Sequence, residues 1–153
     1  WGSGFSMKVY ASTIDYAEHI ALVKGDVTGD EPLLVRVHQS SFLADGLGDL
    51  NAVQKAGELE ATIRMISDHG RGVIVVIRDV SPTSVSNAVH LRAGTQPRKW
   101  TGELRHYGIG AQILQDLGVK NMILVSNQRR TIVGLDGYGI TLAGHAPIPP
   151  VGA

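Results

Sequence analysis

Gly72–Ile77 reads GVIVVI, a run without the apolar–polar alternation of a half-exposed strand. A strand that is apolar on both faces belongs in the interior of a sheet covered by helices. The same holds for residues 122–125 (MILV). They follow a helical stretch carrying Ile109, Ile113, Leu114 and Leu117 and closed by Gly118. Strand, helix, strand with such strands predicts parallel pairing through a right-handed crossover. The fold class is therefore α/β.

Upstream of this unit, Ala52, Ala56, Leu59, Ile63 and Ile66 are spaced by fours and threes, which draws one stripe on a helix. His69-Gly70 closes it, because glycine accepts the left-handed turn that follows a helix. Residues 5–11, 19–24 (HIALVK) and 33–37 (LLVRV) read as strands separated by turn chemistry at Gly25-Asp26, Thr28-Gly29-Asp30 and Pro32. They predict an antiparallel N-terminal meander, so the whole is a mixed sheet with helices on its faces. Residues 92–102 (RAGTQPRKWTG) read as a mobile surface loop. There is no internal repeat and no low-complexity tract.

The 153 residues make one domain, 1–153, long enough to bury a core. Fourteen Lys and Arg balance fourteen Asp and Glu, and 43% of residues are hydrophobic. That profile excludes a disordered chain and a general basic footprint, so no nucleic-acid partner is expected. No apolar run approaches the roughly 20 residues of a membrane span, and residues 1–5 do not read as a signal peptide. A cytoplasmic chain without membrane attachment is expected. The chain opens on Trp1, and Met7 lies inside an apolar-alternating segment; we expect a chain processed, tagged or cut from a longer polypeptide. There is no cysteine, hence no disulfide, no thiolate zinc site and no cysteine nucleophile.

Residues able to carry chemistry are few. Six histidines, at 19, 38, 69, 90, 106 and 145, are scattered, and none forms the i, i+4 pair of a helical zinc motif. No metal and no cofactor is expected. Gly108-Ile109-Gly110 at a helix start would offer backbone N–H groups to phosphate, or would simply permit close packing. Ser126-Asn127-Gln128-Arg129-Arg130 follows the carboxyl end of a buried strand, where open α/β sheets bind ligands. Its hydroxyl, amides and guanidinium forks suit phosphate oxygens, and a solvated basic turn is an equal reading. Glu103 and Arg105 near the next helix start read as surface charge.

Taken in order, these pieces resemble the GTP cyclohydrolase II family, zinc enzymes that open the guanine ring of GTP in the first step of riboflavin synthesis. The resemblance is carried by residues 19–26 (HIALVKGD), 34–38 (LVRVH), Gly70-Arg71-Gly72, 104–114 (LRHYGIGAQIL), 116–119 (DLGV) and 137–140 (GYGI). The segment from Arg105 through Leu114 is the most specific. It implies that Glu103 and Arg105 stand at the family's catalytic Asp and nucleophilic Arg. It also implies that Ser126, Asn127, and Arg129 or Arg130 stand at its phosphate contacts, with Arg36 facing them.

The departures fall on the chemistry. The family places one zinc cysteine after an Arg-Val-His-Ser-Glu segment and a Cys-x-Cys pair ahead of the long helix. Here Ser41 stands at the first cysteine, Ser40 at the glutamate, and the later pair falls near Val53 and Lys55. In the family's guanine-reading Arg-x-Glu-Gly-Arg segment, Val80 replaces the glutamate and Pro82 the second arginine. The resemblance thus implies a degenerate, zinc-less member, like the C-terminal half of two-domain proteins whose N-terminal half is 3,4-dihydroxy-2-butanone 4-phosphate synthase. The implied role is structural or regulatory, as a homodimer with weak affinity for phosphate or nucleotide. The alternative is a zinc-independent hydrolase of a nucleotide phosphate, with Arg105 as nucleophile and Glu103 as acid/base.

Overall fold

A computed structural model describes residues 4–14, 16–51, 56–95, 102–128 and 135–151, with the side chains of 102–106 outside that description. Six strands, β1 (Phe5–Ser12), β2 (Ala17–Lys24), β3 (Leu33–Gln39), β4 (Gly72–Ile77), β5 (Asn121–Val125) and β6 (Thr141–Ala146), form one sheet in the order β1-β2-β4-β3-β5-β6. The two runs lacking a polar face lie inside it, as their composition demands. β1 and β2 are antiparallel, β2 and β4 antiparallel, and β4, β3, β5 and β6 parallel.

Alternation along the central strands divides the core between two faces. Val35, Val73, Val75, Ile77, Met122 and Leu124 pack in one cluster with Ala111, Ile113, Leu114 and Leu117 of α3 (Gly102–Asp116). Leu34, Ile74 and Val125 pack on the other with Ile66 of α1 (Glu58–His69). Ile66 and Ile74 are fully buried, and each such side chain stabilises the fold by about 1.5–3 kcal/mol. Arg36 and His38 share the parity of Leu34 and so project toward the α1 face.

The structure corrects several expectations. The meander contains only β1 and β2. β3 is buried along most of its length and sits between β4 and β5, because a strand reading LLVRV would expose apolar side chains at a sheet margin. The strands at 72–77 and 122–125 therefore do not pair with each other; both pair with β3. The stripe helix begins at Glu58, since Gly57 holds φ +83 and Ala56 lies in the preceding turn, while Ala52 falls outside the described residues. Its buried line runs through Glu58, Thr62 and Ile66, rotated from the expected stripe.

Gly108-Ile109-Gly110 lies within α3, not at its start. The close-packing reading holds, because a Cβ on Gly110 would stand 3.3 Å from Val37 Cγ1. Within the expected loop 92–102, Arg92 closes a helix, α2 (Ser84–Arg92), and Gly102 opens α3; residues 96–101 lie outside the described residues. α2 buries none of its residues and exposes Val85, Val89 and Leu91. Among the described residues no helix is long and apolar enough to cross a membrane.

Candidate functional site

Parallel pairing brings the carboxyl ends of β3, β4 and β5 to the same margin of the sheet, the margin at which such sheets bind ligands. Arg36, midway along β3 and level with the end of β5, is 6% exposed. Its Nη1 donates to the Val125 carbonyl at the end of β5, at 3.3 Å. That bond brings Arg36 to the residue preceding Ser126. Its Nη2 donates to Glu58 Oε2 at 3.4 Å in a buried ion pair. Its Nε is buried with no hydrogen-bond partner among the described residues. Burial lowers the Arg36 pKa below its usual value, opposed by the nearby Glu58 carboxylate, yet a guanidinium stays charged there.

Glu58 was not among the sequence candidates, and it sets a carboxylate directly against Arg36. It is 8% exposed and opens α1 directly after Gly57. A Cβ on Gly57 would meet Val151 Cγ1 at 2.5 Å, so the chain at 148–151 closes over this helix start. One signal was available: Glu58 stands four residues before Thr62 and eight before Ile66, on the line that faces the sheet. The Thr62 hydroxyl is buried harmlessly, because it donates to the Glu58 carbonyl at 2.8 Å.

His38, two residues beyond Arg36 and fully buried, places Nε2 3.0 Å from Asp45 Oδ2. A carboxylate can only accept, so Nε2 carries the shared proton, and Nδ1 has no partner among the described residues. Asp45 also accepts from the Ser41 N–H at 2.8 Å. Burial works to raise the Asp45 pKa, but the His38 and Ser41 hydrogen bonds prevail and hold it below the ordinary carboxylate value.

Ser41 itself caps the short helical turn Phe42–Gly46, its hydroxyl accepting from the Ala44 N–H at 3.2 Å. A hydroxyl committed to a helix cap is not a zinc ligand. Val53 and Lys55 lie outside the described residues, and neither residue type binds zinc. Among the described residues no group of three or more potential ligands gathers. Among the described residues the donor set does not fit the zinc of the family that the sequence resembles.

At the end of β5, Ser126 Oγ accepts from the Gln128 N–H and donates to the Gln128 carbonyl, both at 3.1 Å. Asn127 Oδ1 accepts from the Ile148 N–H at 2.8 Å, pinning the segment after β6. Arg129 and Arg130 lie outside the described residues. Glu103 and Arg105 fall in the first turn of α3, and their side chains are likewise outside. Val80, beyond the end of β4, is 46% exposed.

The chain matches the family described as GTP cyclohydrolase II over residues 1–147. It is 37% identical over 155 residues to riboflavin biosynthesis protein RibBA of Chlorobium phaeovibrioides, covering 94% of this chain and 38% of that protein. It is 38% identical over 160 residues to a chloroplastic riboflavin biosynthesis protein of Oryza sativa subsp. japonica named as bifunctional, covering 97% of this chain and 29% of that protein. A second chloroplastic protein of that plant, named as monofunctional, is 37% identical over 160 residues, covering 97% of this chain and 30% of that protein. The chain thus spans well under half the length of these relatives.

Proposed function

Because the chain belongs to the GTP cyclohydrolase II family, we propose that it is a domain of a riboflavin-biosynthesis protein that no longer opens the guanine ring. It acts as a structural or regulatory domain, dimerising beside a 3,4-dihydroxy-2-butanone 4-phosphate synthase domain in the cytoplasm. The observation that carries this reading is Ser41. At the position of the first zinc cysteine, its hydroxyl caps a helical turn in a chain without cysteine. Without thiolates no zinc is held, and without zinc no water is activated for attack on the purine.

The base-reading end supports the same conclusion. Val80 cannot accept from guanine N–H groups, and each such donor left unpaired in a buried site costs about 1–3 kcal/mol. A relative named as monofunctional that retains a matching segment is in keeping with a family in which not every protein carries two activities. What survives is the remnant of a phosphate end, at Arg36, Ser126, Asn127, Arg129 and Arg130, beside the remnant catalytic positions Glu103 and Arg105. It should hold phosphate or nucleotide weakly, in the high-micromolar to millimolar range, with little preference for guanine over adenine.

The purified chain, incubated with GTP and zinc, is expected to yield no ring-opened diaminopyrimidine and to retain no stoichiometric zinc through dialysis. About one zinc per chain by elemental analysis, or product formation, overturns the reading. Sedimentation at tens of micromolar protein is expected to show a dimer, and monomer alone counts against the dimerising role.

A further inference from the structure

The buried Arg36–Glu58 pair occupies a place where two independent features favour an anion. A helix N-terminus presents unsatisfied N–H groups and the positive end of the helix dipole, and Glu58 is the first residue of the twelve-residue α1, behind a Gly57 that supplies no side-chain cap. Arg36, more than nine-tenths buried, brings a full positive charge to the same point. Among the described residues its donors are poorly used, with bonds of 3.3 and 3.4 Å and a buried Nε that has no partner there. Charge-assisted bonds of this kind normally close to about 2.7–2.9 Å.

An arginine committed only to structure would be expected to use its fork more fully. The under-used fork is what remains when a tethered carboxylate stands where a ligand oxyanion would bind. Resting on the proposed function above and narrowing it, we infer that Glu58 is a built-in counter-anion which withholds Arg36 from the remnant phosphate end, so that the weak phosphate affinity of the unaltered chain comes from the other members of that end. The mask acts by competition. Neutralising Glu58 without changing its shape uncovers a cation with spare donors beside a helix N-terminus, and a phosphate-bearing anion takes the place of the carboxylate.

The test is calorimetry at low salt with inorganic pyrophosphate as probe, on the unaltered chain, Glu58→Gln, and Glu58→Gln combined with Arg36→Gln. Masking predicts that Glu58→Gln binds pyrophosphate about tenfold tighter or more, and that the second substitution abolishes the gain. A folded Glu58→Gln chain with unchanged affinity overturns the inference. So does a gain that persists without Arg36, since it then reflects net charge alone.

Should Glu58→Gln not fold, the Arg36 Nε–H resonance of the unaltered chain answers the same question. It is expected to hold its position as pyrophosphate is raised through about a millimolar, and a saturating shift below that concentration overturns the masking. Turnover of GTP by the unaltered chain removes the proposed function instead, a result these affinity comparisons cannot mimic.

Discussion

The second half of β3 and the carboxyl end of β5 are joined by the bond from Arg36 to the Val125 carbonyl, yet they are held by different physics. In the second half of β3 the polar side chains are buried and answered by carboxylates from later segments, Arg36 by Glu58 and His38 by Asp45. At the end of β5 they are neutral, more exposed and answered by backbone, Ser126 by Gln128 and Asn127 by Ile148. The first arrangement is sensitive to the removal of any one charge, because the survivor is stranded in a low-dielectric setting. The second risks only a hydrogen bond.

Stability measurements by urea denaturation should expose this difference in order of size. Arg36→Met strands the Glu58 carboxylate and should cost about 3–5 kcal/mol, whereas replacing both partners by apolar residues should recover much of it. A loss below about 1 kcal/mol for the single change would mean that the pair is wetter than its burial implies.

Gly57→Ala, at the helix start that delivers Glu58, should cost about 1–2 kcal/mol from its left-handed φ of +83, and more if Val151 cannot yield. At the β5 end, Asn127→Ala removes one acceptor from the Ile148 N–H and should cost only about 1 kcal/mol. If Asn127→Ala matched Arg36→Met, the contrast between the two ends would collapse.

The smallest effect lies in acid. Asp45 has a folded pKa below its ordinary 3.8, so its contribution is present above that ordinary value and is lost as pH falls through the lower folded value. Asp45→Asn should therefore flatten the decline in stability with falling pH in that acid range and leave the dependence near neutrality unaltered. An unchanged acid limb would show that the His38 contact does not favour the ionised carboxylate.

Much of the scaffold was legible in the residues. GVIVVI and MILV announce strands covered on both faces, Ile109, Ile113, Leu114 and Leu117 announce the long helix, and Gly70 marks a helix end, because local periodicity and backbone sterics act within a few residues. The place of β3 was not legible in the same way. LLVRV follows turn residues as a meander strand would, and its insertion between β4 and β5 rests on pairings with segments far along the chain. Gly108-Ile109-Gly110 illustrates the converse error. A glycine pair suits a phosphate-binding helix start, but the contact of Gly110 with Val37 on β3 shows that close helix–sheet packing is what uses it.

Composition and motif determined the family resemblance, the absence of thiolates and the identity of Val80, which the resemblance sets against the family's base-reading glutamate, since each is a property of residue identity that no folding can change. Only tertiary structure decided what the remaining polar groups do. Arg36 in sequence is a cation flanked by valines, available to any anion. In the folded chain, α1 delivers Glu58 from 22 residues away into the same buried space. Charges interact through distance and dielectric, and both are set by packing.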